Sequence, residues 1–477
     1  MDSYTWTDRW LTWSFVLRTG VALWCVVLLF AFSSHFFQAG KQIVGQATMS
    51  AVKTIGAKIG DPMIQDDFGN INALIAGYGG DDHDGGLLMD TIMVASYNPD
   101  LWAVTFLSIP RDLYVSYGEG RSGRINGVFW THYLRNNRSF DAGISALQEK
   151  VEEVTWLDIP YYMTVDFDGL VRLIDELWGI EVFAHEAIYD TMYPWPNHTY
   201  TTFSLPPGEQ VLDGDTALKY ARSRYSTSDF SRSLRQQQII QGMVQAILPH
   251  LSVTNPNSVR DWYQKFVAVI TTNVTFREVM WLTPQMNDDR HYFSFVYTIE
   301  CSRAQPRLMQ PGCVLYVPRR DLFNNMSVIL PNGATVSNVS YYLHTQDIAS
   351  WLVHRQEHLI ENASIGLLNG IDRNVVRERG LRMPALANPI WVEMVLRGLQ
   401  VTRSANTDTV HAVTTAYIRG VEGSYPATRD ALSIFIDLAD EQYVFVDPES
   451  GEWNNPTGAS LLGDEDIVVV FGNDYLE

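Results

Sequence analysis

Four arginines lie close together between residues 220 and 238 of a 477-residue chain whose formal net charge is −20. The stretch reads YARSRYSTSDFSRSLRQQQ and contains Arg222, Arg224, Arg232 and Arg235. Forked guanidinium groups bind phosphate through paired hydrogen bonds, so a basic cluster in so acidic a chain indicates an anion-binding site. Composition alone leaves open the alternative of a solvated helix with surface ion pairs.

The second half of this stretch has the pattern of a helix. Asp229 and the serines around it are typical of a helix start, and apolar residues then recur at helical spacing between Ile239 and Ile247. Arg232 and Gln236 stand four residues apart, so they share one face of the helix. Free N–H groups, the helix dipole and the guanidinium groups all favour an anion at such a terminus. The sequence therefore predicts a phosphate cradle here.

Three other short strings carry charged or amide side chains next to apolar runs. They are MDTIMV with Asp90, SIPRDLYV with Arg111 and Asp112, and GRINGV with Arg124 and Asn126. Arg111 and Asp112 follow directly after Pro110, which ends a predicted strand.

Strand-like and helix-like segments alternate along the chain. The predicted strands are at 71–77, 91–96, 102–108, 161–167 and 180–184, and the predicted helices are at 140–153, 169–179 and 273–282. This alternation predicts an α/β fold with a central β-sheet flanked by helices. Residues 186–210, which are polar, aromatic and rich in proline, are predicted as a loop.

Composition restricts the class of protein. The apolar fraction of 46% and the aromatic fraction of 12% are typical of a well-cored globular protein. The acidic balance argues against nucleic acid as a partner. Cys301 and Cys313 flank a loop containing proline and glycine, and we predict a disulfide between them if this region is extracellular. The alternative is two unpaired thiols.

An apolar segment near the N-terminus reads VALWCVVLLFAF from Val21 to Phe32. With its flanks it is long enough to span a bilayer, and we predict an uncleaved transmembrane helix with residues 1–14 in the cytoplasm. A buried core helix is the alternative. The predicted organisation is listed by range: a cytoplasmic tail and transmembrane helix at 1–38, a stalk at 39–66, a catalytic domain at 67–350 and a small α/β or α+β domain at 360–477.

Taken in order, the four strings resemble the LytR-CpsA-Psr family of cell-wall glycopolymer ligases over roughly residues 70–330. The last hundred residues, with LLNGI and DIVVVFGND, are similar to the small LytR C-terminal domain. The resemblance implies an α-β-α domain outside the cell, held by a membrane anchor. It also implies a phosphotransferase that moves an anionic glycopolymer from a polyprenyl-pyrophosphate carrier to peptidoglycan, through a phosphodiester bond.

The resemblance assigns roles to individual residues. It implies four catalytic residues: Arg111, Asp112, Arg222 and Arg224. It implies that pyrophosphate is bound by a larger set: Arg111, Arg124, Asn126, Arg222, Arg224, Arg232, Arg235 and Gln236. In this set Arg124 stands where the family usually has a lysine. Asp112 is expected either to orient Arg111 or to act as a base.

Asp90 matches the family's metal ligand, which implies a Mg²⁺ (or Mn²⁺) site completed by phosphate oxygens. Two positions depart from the family pattern. Leu88 replaces an arginine, and Tyr78 with Gly79 replaces an aspartate. Asp81 and Asp82 follow closely and are predicted to supply the missing carboxylate. These departures keep two other functions open: a hydrolase of the same lipid pyrophosphates, and a non-catalytic wall-binding protein.

Overall fold

A computed structural model describes most of the chain beyond the predicted stalk. The described residues are 60–80, 86–195, 199–223, 229–251, 255–286, 290–297, 314–378, 387–407, 409–447 and 463–476. The predicted membrane segment, Cys301, Cys313, Arg224, Asp81 and Asp82 lie outside them. No helix within the described residues is long and apolar enough to cross a membrane.

The strands, in chain order, are β1 (Ile71–Tyr78), β2 (Met89–Asn98), β3 (Ala103–Ser108), β4 (Tyr114–Gly118), β5 (Arg121–Arg124), β6 (Tyr161–Asp166), β7 (Ile180–Ala184), β8 (Ile188–Trp195), β9 (Thr199–Leu205), β10 (Gly208–Leu212), β11 (Ile270–Thr272), β12 (His291–Val296), β13 (Leu315–Tyr316), β14 (Leu330–Pro331), β15 (Ser364–Asn369), β16 (Gln400–Asn406), β17 (Thr415–Arg419), β18 (Tyr443–Val446) and β19 (Ile467–Phe471).

The α-helices, in chain order, are α1 (Val128–Arg135), α2 (Phe140–Thr155), α3 (Phe167–Glu176), α4 (Gly214–Arg222), α5 (Asp229–Ile247), α6 (Pro256–Val267), α7 (Phe276–Leu282), α8 (Leu343–His354), α9 (Glu357–Glu361), α10 (Arg373–Glu378), α11 (Ala387–Leu396) and α12 (Pro426–Ser433).

A six-stranded mixed sheet forms the centre of the fold, in the order β11-β6-β1-β2-β3-β12. β1 is parallel to β6 and antiparallel to β2, and β12 is parallel to β3. The carboxyl ends of β1 and β6 therefore lie side by side, with Tyr78 opposite Asp166. The predicted central sheet flanked by helices is confirmed.

Alternation along the strands gives the sheet two different faces. On one face Leu74, Ile92 and Leu107 are buried in a cluster with residues of α1, α2 and α8. The opposite face presents residues such as Ala73 and Ile75, which line a cavity beneath α3 and α5. Because side chains on a strand alternate between faces, neighbouring residues of β1 meet quite different surroundings.

Polar side chains fix the ends of several predicted helices. Ser139 caps α2 by accepting a hydrogen bond from Ala142 N at 3.3 Å, and Asp166 caps α3 by accepting one from Gly169 N at 2.6 Å. Thr275 and Glu278 form a capping box at the start of α7. The predicted helices at 140–153, 169–179 and 273–282 are thus confirmed, although α3 begins at Phe167 and α7 at Phe276.

The prediction of a loop at residues 186–210 is wrong. This segment forms the antiparallel hairpin of β8 and β9, and it also contains the start of β10, which pairs with β7. One side of the hairpin is buried through apolar residues such as Tyr193 and Phe203, while the other side is exposed. The many polar residues on the exposed side hid the period-two pattern of the strands.

The C-terminal region contains a second sheet, in the order β16-β15-β19-β17-β18. Every residue of β19 is buried, as expected for a strand covered on both faces. α8 joins this region to the central one, because Ile348 and Leu352 pack in the central core whereas Trp351 packs in the C-terminal core.

Candidate phosphate-binding site

The site lies where β1 and β6 end and β2 begins. Gly80 N donates a hydrogen bond to Gly86 O at 3.0 Å, which closes the connection between β1 and β2. Gly80 has a φ of +90°, a conformation that favours glycine. Asp90 follows within one residue of the start of β2 and is partly exposed.

Arg111 and Asp90 form an ion pair at this end of the sheet. Arg111 Nη1 donates to Asp90 Oδ1 at 2.7 Å, and the two side chains are 22% and 43% exposed. The backbone N–H of Ile109 donates to Ile92 O at 2.9 Å, which sets the end of β3 beside the start of β2. The structure therefore brings the predicted arginine and the predicted metal ligand together as an accessible pair.

Asp112 forms an ion pair with Arg124, and its two predicted roles, orienting Arg111 or acting as a base, stay predictions. Arg124 Nε lies 3.2 Å from Asp112 Oδ1 and also donates to Ser327 O at 3.1 Å. Asn126 is buried, and its backbone N–H donates to Arg111 O at 3.3 Å. This loop therefore holds Arg111 from its main chain, while the predicted pyrophosphate contacts of Arg124 and Asn126 stay predictions.

Arg222 reaches the site from the last residue of α4. Its guanidinium carbon lies 4.3 Å from the ring centre of Phe167 and 5.6 Å from that of Tyr193. Arg222 Nη1 also donates to the Tyr193 hydroxyl at 3.4 Å. Burial raises the pKa of Tyr193, so the hydroxyl stays protonated and does not neutralise Arg222. Contact with aromatic faces orients the guanidinium while leaving its positive charge available.

Arg235 is buried, with 5% of its surface exposed, and it donates to main-chain carbonyls. Its Nε donates to Tyr220 O at 2.8 Å and its Nη2 to Ser223 O at 2.5 Å. Burial lowers the pKa of Arg235, although an arginine keeps its charge in a protein. The geometry favours a structural role, tying α5 to the end of α4, over the predicted contact with pyrophosphate.

Asp190 is a residue of this region that the sequence prediction missed. It is 2% exposed, and its Oδ2 accepts a hydrogen bond from Ser223 Oγ at 2.8 Å. Ser223 directly follows Arg222, so Asp190 fastens the β8–β9 hairpin to the end of α4. The sequence prediction overlooked Asp190 because residues 186–210 were interpreted as a loop.

The consecutive glutamines of α5 face three different surroundings. Gln236 lines the cavity beside Arg222. Gln237 is fully buried and donates to Ser108 Oγ at 2.8 Å and to Phe295 O at 2.9 Å. Gln238 donates to Phe183 O at 2.9 Å. α5 is thereby fixed to the sheet and to β7, and Gln236 and the buried Arg232 share the helix as predicted.

The cavity has a volume of about 320 Å³ and lies between the sheet and the helices α3 and α5. Its polar end is formed by Gly77, Thr91, Arg222 and Gln236. Most of its lining is apolar and includes Ile75, Ala95, Phe106, Leu173, Ile240 and Met243, although Arg290 also lines it. At the far end it reaches Met63 and Ile71, so the cavity follows β1 from its last residues to its first.

A metal site is not complete within the described residues, since they contain no group of three or more His, Cys, Asp or Glu side chains suited to a metal ion. Asp166 is a carboxylate that the prediction missed. It ends β6 opposite Tyr78, and a Cβ placed on Gly80 would lie 3.5 Å from its Cβ. The string VDF at the end of a predicted strand was the available signal.

The fold and the site define the class: an α/β protein with arginines at the strand ends of its central sheet, beside a long and mostly apolar cavity. A sequence model described as the LytR_cpsA_psr family matches residues 37–310, more than half of the chain. The chain therefore belongs to the LytR-CpsA-Psr family, as its motifs suggested.

Named relatives match part of the chain. Cell wall biosynthesis protein LcpA of Corynebacterium glutamicum is 30% identical over 185 residues, covering 35% of this chain and 34% of LcpA. The polyisoprenyl-teichoic acid–peptidoglycan teichoic acid transferase TagU of Enterococcus faecalis is 30% identical over 188 residues, covering 39% of this chain and 53% of TagU. The chain thus spans about a third to a half of these relatives.

Solved structures of similar proteins include TagV of Bacillus subtilis. It is 22% identical with a TM-score of 0.42, and the match covers 58% of this chain and 97% of TagV. TagT bound to LI-WTA is 18% identical with a TM-score of 0.41, covering 59% of this chain and 93% of TagT.

Proposed function

We propose that this protein transfers an anionic glycopolymer from a polyprenyl-pyrophosphate carrier to peptidoglycan, forming a phosphodiester. The observation that carries this proposal is that Arg222 and Gln236 line one end of the apolar cavity. A polar, cationic group and an apolar space are therefore continuous. One ligand that suits both parts is a pyrophosphate joined to a long hydrocarbon chain. The names of TagU and LcpA, which refer to teichoic acid transfer and cell wall biosynthesis, support the same class of reaction.

The hydrocarbon chain is proposed to lie in the cavity, along the face of the sheet that is covered by α3 and α5. Small residues such as Ala73, Gly77 and Ala95 leave space above β1 and β2. The apolar walls favour hydrocarbon over water, because burying each methylene stabilises the complex by about 0.8 kcal/mol. The pyrophosphate then stands at the end formed by Gly77 and Thr91, within reach of the arginines.

In the proposed reaction a hydroxyl oxygen of the acceptor bonds to the phosphorus that carries the glycopolymer. The bond from that phosphorus to the bridging oxygen breaks, and polyprenyl phosphate leaves. Arg111 and Arg222 stabilise the charge that develops on the phosphate oxygens. We assign Asp112 as the acceptor of the hydroxyl proton, because its carboxylate lies next to the proposed phosphate contacts and is held by Arg124.

We also propose a Mg²⁺ or Mn²⁺ ion at Asp90. The carboxylate pairs with Arg111 yet remains 43% exposed, and Asp81 and Asp82 are close in sequence. In this proposal substrate phosphate supplies part of the ligand set, as is common for magnesium. Such an ion would neutralise charge on the pyrophosphate.

The proposed location is outside the cell membrane, with the chain anchored by the apolar segment from Val21 to Phe32. This arrangement places the enzyme beside both its lipid-linked donor and its wall acceptor. A reporter fused to the C-terminus tests it: we expect activity of a reporter that functions only outside the cytoplasm. Activity restricted to a cytoplasmic reporter would refute the location.

Transfer itself is tested with purified lipid-linked glycopolymer and peptidoglycan. Arg111→Ala and Arg222→Ala are each expected to abolish transfer while the fold persists, because removing a guanidinium from a bound phosphate costs about 2 to 5 kcal/mol. Arg319→Ala is the matched control, since Arg319 is 79% exposed and pairs with Asp321. Full activity in both site variants would show the proposal to be wrong. Release of free polymer by the wild type, without attachment, would identify a hydrolase.

A further inference from the structure

The β8–β9 hairpin has one buried face and one exposed face. On the inner face, Tyr193, Phe203 and Leu205 are buried in a cluster with Tyr220 of α4. The hairpin is therefore held firmly against the helix that ends at Arg222. Its outer face takes part neither in this packing nor in the proposed phosphate site.

The outer face carries two exposed tyrosines. Tyr189 and Tyr200 are each 61% exposed. In the register of the hairpin Tyr189 stands opposite Ser204, and Thr202 and Tyr200 follow at alternate positions on the same face. Tyr189 and Tyr200 are thus separated by four residues along β9, or about 13 Å at strand spacing.

This outer face is uncharged in a strongly acidic chain. In the described residues 188–195 and 199–205, Asp190 is the one residue of the Asp, Glu, Lys, Arg and His types, and it is 2% exposed. The chain as a whole has a formal net charge of −20. A neutral ribbon of tyrosine rings and hydroxyl groups on this face therefore contrasts with the acidic balance of the chain.

The ribbon is joined to the proposed reaction site by two contacts. Tyr193 of β8 accepts a hydrogen bond from Arg222 at 3.4 Å. Asp190, also in β8, accepts one from Ser223 at 2.8 Å. A ligand lying on the ribbon would consequently be held at a fixed position relative to Arg222.

We propose that the outer face of the β8–β9 hairpin binds the glycan strand of the peptidoglycan acceptor. Tyrosine rings offer flat apolar faces for the C–H faces of sugar rings, and their hydroxyls, with those of Thr202 and Ser204, bond to sugar hydroxyls. A ligand that contacts both rings must be extended, because about 13 Å is longer than a single sugar. The anionic glycopolymer is disfavoured, because the face has no cation to pair with it. This inference rests on the proposed function.

The experiment measures binding of the full-length chain, in detergent, to purified peptidoglycan by sedimentation. The double variant Tyr189→Ala/Tyr200→Ala is expected to lower affinity about tenfold, equivalent to about 1.4 kcal/mol. Trp178→Ala is the matched control, because Trp178 is 93% exposed but lies beyond α3 and off the hairpin. The double variant with phenylalanine at both positions keeps the rings and is expected to retain most of the affinity.

Unchanged binding by the alanine variant, or an equal loss in Trp178→Ala, would overturn the inference. The inference would also be overturned if the alanine variant bound peptidoglycan normally but lost binding to phosphatidylcholine vesicles or to soluble glycopolymer. Binding of the lipid-linked donor should remain at the wild-type level in the alanine variant. If the tyrosines prove necessary for peptidoglycan binding but the wild type transfers nothing, the glycan surface stands and the proposed transferase fails.

Discussion

The two faces of the central sheet use neighbouring residues for opposite purposes. Leu74 is completely buried in the cluster formed with α1, α2 and α8, whereas Ile75, the next residue, lines the cavity under α3 and α5. Protein interiors are normally packed as densely as organic crystals. A face that keeps a cavity of about 320 Å³ therefore gives up stability, and we attribute this to the space that a ligand requires.

The largest difference between the two faces is expected when Leu74 and Ile75 are truncated separately and compared. Leu74→Ala should lower the free energy of unfolding by about 2 to 5 kcal/mol, because it creates a new hole in a filled core. Ile75 borders a cavity that is already present, so Ile75→Ala creates little new empty space. We expect a smaller loss of about 1 to 2 kcal/mol, which is the free energy of transferring the removed methyl and methylene groups to water. Urea unfolding of the two variants measures the difference. Equal losses would mean that the two faces are packed alike.

Filling each face should give the converse result. Ala349→Leu adds volume to the packed side, where Ala349 is fully buried, and should cost about 1 to 3 kcal/mol. Ala95→Leu extends into the cavity and should leave the free energy of unfolding nearly unchanged. The same substitution should weaken binding of a polyprenyl-pyrophosphate ligand by calorimetry. Undiminished lipid binding by Ala95→Leu would argue that the hydrocarbon chain lies elsewhere.

The smallest effect concerns pH and two histidines: His354, partly buried at the end of α8, and His358, buried in α9. Burial lowers the pKa of His354 and of His358 below the ordinary 6.5, although Asp66 partly offsets this for His354. The unfolded chain then binds more protons, so stability is fully present above about pH 6.5 and decreases as the pH falls. His358→Gln should reduce this decrease in thermal unfolding scans between about pH 7 and pH 5. An unchanged slope would assign the pH dependence to other groups.

The sequence predicted those parts of the fold in which local pattern and tertiary environment agree. The strands around Leu74 and Leu107, the capped helices and the helix start at Asp229 all have strong periodicity or polar caps. The hairpin at residues 188–205 was missed because its outer face is polar and aromatic, and a half-exposed ribbon has the composition of a loop.

The site shows the same limit. Motifs identified Arg111 and Arg222, but spacing along the chain does not reveal which carboxylate faces which arginine. The pairs of Asp90 with Arg111 and of Asp112 with Arg124 depend on how β2, β3 and the following loop meet in space. Likewise, Arg232 and Arg235 cannot be told apart by side-chain chemistry in the sequence. Only the fold shows that the Arg235 guanidinium donates to main-chain carbonyls.

α8 belongs to both hydrophobic cores, and this has a mechanical consequence. Trp351 lies 5.7 Å from the ring of Phe435 in the C-terminal core, while Ile348 and Leu352, on the same helix, are buried in the central core. Beyond the helix, Gln356 Nε2 donates to Thr105 Oγ1 at 2.9 Å, fastening the junction to β3. The C-terminal sheet is therefore coupled to the domain that contains the cavity through a helix packed in both cores, and not through a flexible linker. A force applied to one domain is transmitted to the other through α8.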